Sequence, residues 1–363
     1  MSSNINMNER QLTLLMSNLL ITKMIFAFPR FLFKTSGNAA WIQAIFMSLI
    51  AYLFLLISIK FYQYTGNKSI IQLAESIGKL PLKILVSLLV ALIIIANVGT
   101  EMRTFAESVK IVLLPRTKME YIMILFSVTV IIGALSGFGS LVTINALFFP
   151  FCLFFLGVLF ISLIPSYNIN NIFPILGKGA GSIFIKGIRD MSSFSDLIAL
   201  NLLLPHCNDI EMVKKSGKKS VIIAGTILTL ICLCYGLTYP YPYSSEFLLV
   251  PYQLTRMVRA GEYFQRFEAL FEFVWSLTQL LYTSIYVYIL GALFQNTFKL
   301  KFSKPLIPCI VVLIALLSFE PSSVVDLLDT AYKMKEKLIP FAYLLPIIIP
   351  LIYIISRRFK YEK

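Results

Sequence analysis

The sequence predicts an all-α integral membrane protein of about ten transmembrane helices, arranged as a five-plus-five inverted repeat with helices one and six interrupted. Three observations carry this reading. Apolar residues are 58% of the chain and charged residues 14%, against about 45–50% and about 25% in soluble domains. The apolar residues fall in runs close to the ~20 needed to cross a bilayer. Two of those runs, one in each half, hold a charge in their interior, Lys23 and Asp196.

The first span, 12–33, sets the pattern for the rest. It is apolar enough to insert, yet Lys23 lies near its middle and Pro29 near its end. A lysine at a helix centre costs roughly 2.5–3.5 kcal/mol on insertion, so it faces a cavity, water or a partner. The second span is 38–61, with Trp41 as an interfacial anchor. Ser69 and Gln72 then form a capping box for a short helix through Gly78. The third span, 82–114, carries Glu101, Arg103, Glu107 and Lys110 in its last third. The fourth and fifth are 121–137 and 141–163, and Gly133 and Gly137 are spaced for close helix packing.

A Gly/Pro/Asn-rich connection, 165–187, is too polar to span. The sixth span, 190–207, is short and Ser-rich, with Asp196 inside and Pro205 near its end. The seventh is 221–239, preceded by the basic run Lys214, Lys215, Lys218 and Lys219. An aromatic loop, 240–265, leads to the eighth span, 267–298, then the ninth, 305–319, and the tenth, 339–356. The whole, 1–363, reads as a single transmembrane transporter-like domain.

The net charge of +14 does not indicate a nucleic-acid partner, because Lys and Arg cluster in short loops between apolar runs. The densest of these are the loop between spans six and seven and the carboxyl tail, which an even helix count puts on one side, so both termini are expected in the cytoplasm. The first ten residues are polar and lack the features of a cleavable signal. The cysteines, Cys152, Cys207, Cys232, Cys234 and Cys309, lie in or beside apolar runs without disulfide or metal spacing. No hydrolase triad, nucleotide loop or metal cluster is present in the sequence, so no enzyme and no cofactor are expected. His206, the one histidine, reads as an interfacial residue.

Two correspondences survive a division into halves. The first helix of each half holds one intramembrane charge, and the third holds acidic residues, Glu101 and Glu107 against Glu268 and Glu272. Such paired segments point to an inverted-repeat transporter with its site at the midplane. In that architecture Lys23 and Asp196 form an ion pair between the two breaks; the alternative is that either snorkels to a helix end. Arg103 and Glu107, at i and i+4, share a face and form a structural pair, with a proton or ion relay through Glu101 as the rival. Glu268, Glu272 and Trp275 occupy one stripe, on which two like charges need a cation such as Arg266 or a partner subunit. The uncharged cavity candidates are Thr22 and Met24, Asn97 and Val98, Leu200 and Asn201, and Tyr282 and Thr283, set near the middles of helices one, three, six and eight. For each of them interhelical packing is the plainer reading.

The stretch QRFEALFEFVW, 265–275, resembles the spore germination permease family, the B subunits of spore germinant receptors within the amino acid–polyamine–organocation superfamily. FPRFL (28–32) with Trp41, the Glu101–Arg103–Glu107 group with LLPRT (113–117), FPILGKG (173–179) and SFSD (193–196) with Pro205 resemble the same family in the same order. The resemblance implies a ten-helix protein of the spore inner membrane, beside an A subunit and a lipoprotein C subunit. It also implies that the protein senses a small nutrient germinant, commonly an amino acid, and starts germination. The ligand would sit between helices one, three, six and eight. A proton-coupled amino-acid permease is the alternative, and an ion- or water-passing subunit a third. One departure stands out: the family's glycine pair in the first helix is replaced here by Thr22 and Met24 flanking Lys23. Those side chains fill space that glycines leave open to a ligand.

Overall fold

Helices make up nearly all of the chain in the computed structural model, which describes residues 7–361 except 27, 67, 208, 259–266, 302, 321 and 322. The first, α1 (Glu9–Ile25), starts at a capping box in which the Asn8 side chain accepts from the Gln11 amide at 2.8 Å. It stops at Phe26, whose ψ of −83° has left the helical range. Then α2 (Phe28–Ser36) begins one residue before Pro29. Proline is tolerated in a first turn, but in a continuous helix its ring would meet the Ile25 carbonyl. The proline therefore places the break.

After α3 (Ala40–Tyr62), α4 (Ile70–Val112) is two helices joined at Gly78 and Lys79, the latter at φ 51°. Its short first part is the helix the Ser69–Gln72 box predicts, with Gln72 N donating to Ser69 Oγ at 3.3 Å. The first half closes with α5 (Met119–Leu135) and α6 (Phe138–Ser162). The connection that follows holds the short α7 (Ala180–Phe184) and is pinned to the end of α2. There Lys178 N donates to the Ser36 carbonyl at 3.1 Å, and Asn38 Nδ2 donates to the Phe173 carbonyl at 2.6 Å. Gly177 sits at φ +52°, where a Cβ would lie 2.0 Å from the Ser36 oxygen, so only glycine fits.

The sixth span is a 3-10 stretch, Lys186–Leu197, that passes into α8 (Ile198–Leu203). Serines drive the change of helix type: Ser193 Oγ donates to the Asp190 carbonyl at 3.3 Å and Ser195 Oγ to that of Ser192 at 2.8 Å. The remaining helices are α9 (Ile210–Thr238), α10 (Val250–Met257), α11 (Phe267–Phe298), α12 (Leu306–Phe319) and α13 (Val324–Tyr361). The short α10 precedes α11 as the short capped helix precedes the long part of α4. The two halves thus share their order of elements.

Six helical stretches are long and apolar enough to cross a membrane, with α5 and α12 as shorter apolar helices among the described residues. The interrupted pair, α1–α2 and the 3-10 stretch with α8, brings the total to about ten. Large apolar side chains such as Leu125, Leu147, Phe154 and Leu316 are 66–72% exposed on the outside, while Lys23, Asn97, Asp196 and Glu272 are buried inside. That inversion of the soluble pattern is the mark of a lipid-facing surface.

Two starts lie well ahead of the expectation. The seventh helix starts at Ile210, capped by Asp209, so the basic run lies within a helix instead of a loop. The tenth begins at Val324, not at residue 339. Both expected starts wait for apolar sequence, whereas Lys and Glu are good helix formers and carry a helix past its apolar part. The small-residue pair also divides. Gly133 packs on Ser284 of α11, while Gly137 has nothing within 4 Å and instead turns the chain at φ +93°.

Candidate intramembrane binding site

Lys23 lies in the last turn of α1, and Asp196 lies where the 3-10 stretch gives way to α8. Their charged atoms meet at 2.8 Å with side chains only 3% and 1% exposed. The Lys23 ammonium also donates to the Ser192 carbonyl at 3.0 Å and to Ser195 Oγ at 2.8 Å. The ammonium thus has two hydrogen-bond acceptors, and the Asp196 carboxylate faces it as a charge partner without hydrogen-bond geometry. On the other side of the carboxylate, Asn97 Nδ2 of α4 donates to Asp196 Oδ1 at 2.9 Å and to Ser195 Oγ at 3.2 Å. Burying two ions costs several kcal/mol each, which only close geometry and full hydrogen bonding offset. The pair has the close geometry and hydrogen bonds to the ammonium and to Asp196 Oδ1, and it ties the two interrupted spans together.

A cavity of about 50 Å³ opens beside this pair. The break in the first span contributes Lys23, Phe26, Phe28 and Phe31, and α4 contributes Thr100, Glu101 and Thr104. Ser192 and Ser193 come from the 3-10 stretch, while α13 brings Leu328, Tyr332 and Lys335. The fourth wall is thus the tenth helix, where helix eight was expected. Tyr332 bridges two walls of the cavity: its hydroxyl donates to Asp190 Oδ1 at 2.6 Å, and its ring stacks on Phe31 at 5.0 Å. Gln43 of α3 donates to the other oxygen of Asp190, which is fully buried. Lys335 Nζ stands 3.8 Å from Glu101 Oε1, and Gln279 Nε2 reaches Glu101 Oε2 at 3.4 Å.

Of the uncharged candidates, Asn97 joins the pair directly. Thr22 turns away, donating to Asn18 Oδ1 at 2.7 Å, while Asn18 donates to Asn145 at 2.6 Å. Met24 and Val98 are fully buried in apolar packing, and Leu200 lies against Gly217. Asn201 faces Ser58 Oγ at 3.5 Å. The hydroxyls of Tyr282 and the neighbouring Tyr286 lie near the Asp196 carboxylate without hydrogen-bond geometry, and Thr283 Oγ1 is buried with no hydrogen-bond partner among the described residues. Helix eight therefore backs the ion pair rather than the cavity.

Arg103 and Glu107 form their pair at 2.9 Å, and Arg103 reaches the Ser318 carbonyl of α12 at 3.4 Å. Glu272 is buried and accepts from Ser108 Oγ of α4 at 2.6 Å. Trp275 is buried between Phe26 and Phe271, with ring centroids at 5.9 and 6.0 Å, so it braces the break in the first span. Glu268 is half-buried, and Arg266 lies outside the described residues. Sequence reasoning missed Tyr332, Lys335, Asp190 and Gln279. For Tyr332 and Lys335 the lysine-rich stretch before the tenth apolar run was the one visible signal.

An inverted-repeat helical protein with a cavity bearing charged groups between interrupted helices belongs to the class of transporter-like membrane proteins. Solved structures with the same fold include a nucleobase-cation-symport-1 family transporter in a closed conformation with bromovinylhydantoin bound (TM-score 0.67, 12% identity, 95% of this chain and 80% of that one). A Na⁺-coupled sialic acid symporter in a substrate-bound, outward-open state is also similar (TM-score 0.63, 10% identity, 96% and 78%). The search of curated protein sequences gave no match. Residues 6–324 match the family described as Spore germination protein, and the chain belongs to that family of spore germination permeases.

Proposed function

We propose that this chain is the membrane subunit of a spore germinant receptor, binding a small nutrient of amino-acid type in the cavity at the breaks and triggering germination. Family membership supports the germination role. The observation that carries the sensing role is the cavity with charged groups bounded by both interrupted spans and by α13. A ligand that parts these walls biases a two-state arrangement by its differential affinity. In this reading the change passes to an A subunit and a lipoprotein C subunit in the spore inner membrane, with both termini in the cytoplasm. The ligand contacts proposed from sequence are Thr22, Lys23, Met24, Asn97, Val98, Asp196, Leu200, Asn201, Tyr282 and Thr283. Of these, Lys23 lines the cavity, with Asn97 and Asp196 bonded beside it.

The test is the nutrient response of spores lacking this chain, against a panel of amino acids, with and without a restored copy. Loss of response to a subset of nutrients, recovered on restoration, is expected; an unchanged response contradicts the reading. A proton-coupled amino-acid permease is the second reading, favoured by the buried Glu101 carboxylate at the cavity. Accumulation of labelled amino acid in proteoliposomes driven by a pH gradient would support it over sensing.

A further inference from the structure

Two charged pairs meet at the cavity, and they are not alike. Lys23 donates to the Ser192 carbonyl at 3.0 Å and to Ser195 Oγ at 2.8 Å, and it stands 2.8 Å from Asp196 Oδ2. Lys335 stands 3.8 Å from Glu101 Oε1, beyond hydrogen-bond length, and has no other polar partner among the described residues. Glu101 is served as poorly: its second oxygen receives only the 3.4 Å approach of Gln279. Yet both side chains are largely withdrawn from solvent, at 15% and 6% exposure. Two opposite charges, set apart on facing walls of a cavity and under-bonded, fit a ligand that carries both signs.

We propose that an α-amino acid binds as a zwitterion across this second pair, its carboxylate on the Lys335 ammonium and its ammonium on the Glu101 carboxylate. This inference rests on the nutrient-sensing reading and names the groups that hold the ligand. At the break in the sixth span a ligand ammonium would compete with Lys23 for the Ser192 carbonyl, the Ser195 hydroxyl and Asp196. The Glu101 carboxylate, by contrast, receives no approach closer than 3.4 Å among the described residues. Insertion replaces one long ion pair with two charge-assisted hydrogen-bonded ones. Phe26, Phe28 and Phe31 present the apolar wall that a ligand side chain needs.

The same geometry says how binding is felt. Lys335 and Glu101 stand only 3.8 Å apart, so a ligand seated between them separates the two side chains. Lys335 is one helical turn from Tyr332, on the same face of α13. Displacing Lys335 therefore pulls on Tyr332, and through it on Asp190 in the 3-10 stretch and on Phe31 in α2.

The experiment is thermal unfolding of the full-length protein in lipid nanodiscs against the twenty L-amino acids. Each is paired with its amide, which lacks the carboxylate, and its deaminated acid, which lacks the ammonium. At least one amino acid should stabilise the protein, with both analogues weaker by about tenfold or more in concentration. Lys335→Gln should erase the preference for the acid over its amide, Glu101→Gln the preference for the amine over the deaminated acid, and Lys335→Arg should keep both. Equal stabilisation by an amino acid and its amide, or an undiminished preference in Lys335→Gln, would overturn the assignment while leaving the sensing reading intact. If no amino acid stabilises the wild type, the zwitterion assignment falls, and the spore assay above judges sensing separately. The analogue comparison uses wild-type protein, so it decides the matter even if a variant fails to fold.

Discussion

Lys23 and Asp196, far apart in sequence, meet at 2.8 Å between two interrupted helices with almost no exposed surface. Each half of the chain contributes one charge, and neither could lie in the membrane interior alone at small cost. Removing one partner leaves the other buried and uncompensated. Lys23→Met or Asp196→Leu should thus destabilise the purified protein by about 3–5 kcal/mol, whereas the double variant should recover most of that loss. Thermal unfolding of all four proteins in one detergent closes the cycle. Additive losses would mean the two charges are not coupled.

Trp275 packs edge-on against Phe26 at the end of α1 and parallel to Phe271. Trp275→Ala should cost about 3–5 kcal/mol, with Trp275→Phe losing much less. The same assay checks it, and a silent Trp275→Ala would show that the break does not lean on α11.

Gly133 tests the packing of α5 on α11. An added Cβ would come 2.6 Å from Ser284 Oγ and 3.2 Å from its Cβ. Gly133→Val should lose about 1–3 kcal/mol, and Gly133→Ala should be relieved by Ser284→Ala. Gly157→Ala, with nothing within 4 Å, should be harmless by the same measurement.

Tyr332 is the bolt between α13 and the sixth span. Tyr332→Phe keeps the ring on Phe31 but strips a hydrogen bond from buried Asp190, a loss of about 1.5–3 kcal/mol for a bond to a charged group. Hydrogen exchange should rise first in the Lys186–Leu197 stretch. Faster exchange spread evenly over the protein would argue against a local bolt.

How much of this was legible in the sequence follows from what charge does in an apolar run. Lys23, Asp196 and Pro29 stand out against their neighbours, so the two interruptions could be read directly, while their pairing stood beside snorkelling to a helix end as one of two readings. The eighth helix could be bounded at Phe267–Phe298 because its apolar pattern and its ends coincide. The cavity's fourth wall could not. Tyr332 and Lys335 sit in a polar prelude to the tenth apolar run, which reads as loop until packing shows it to be helix. Likewise Thr22, Met24 and Val98 lie at the right depth, but depth does not say which way a side chain points. Asp190 looks like a loop carboxylate until Gln43 and Tyr332 are seen to enclose it.

The most direct measurement is the germination response of spores carrying the reversed pair, Lys23→Asp with Asp196→Lys, beside each single change. If the two interrupted helices are held by this pair and part when the ligand acts, each single change abolishes the nutrient response and the reversal restores it. Single changes that leave both protein level and response untouched would contradict the account.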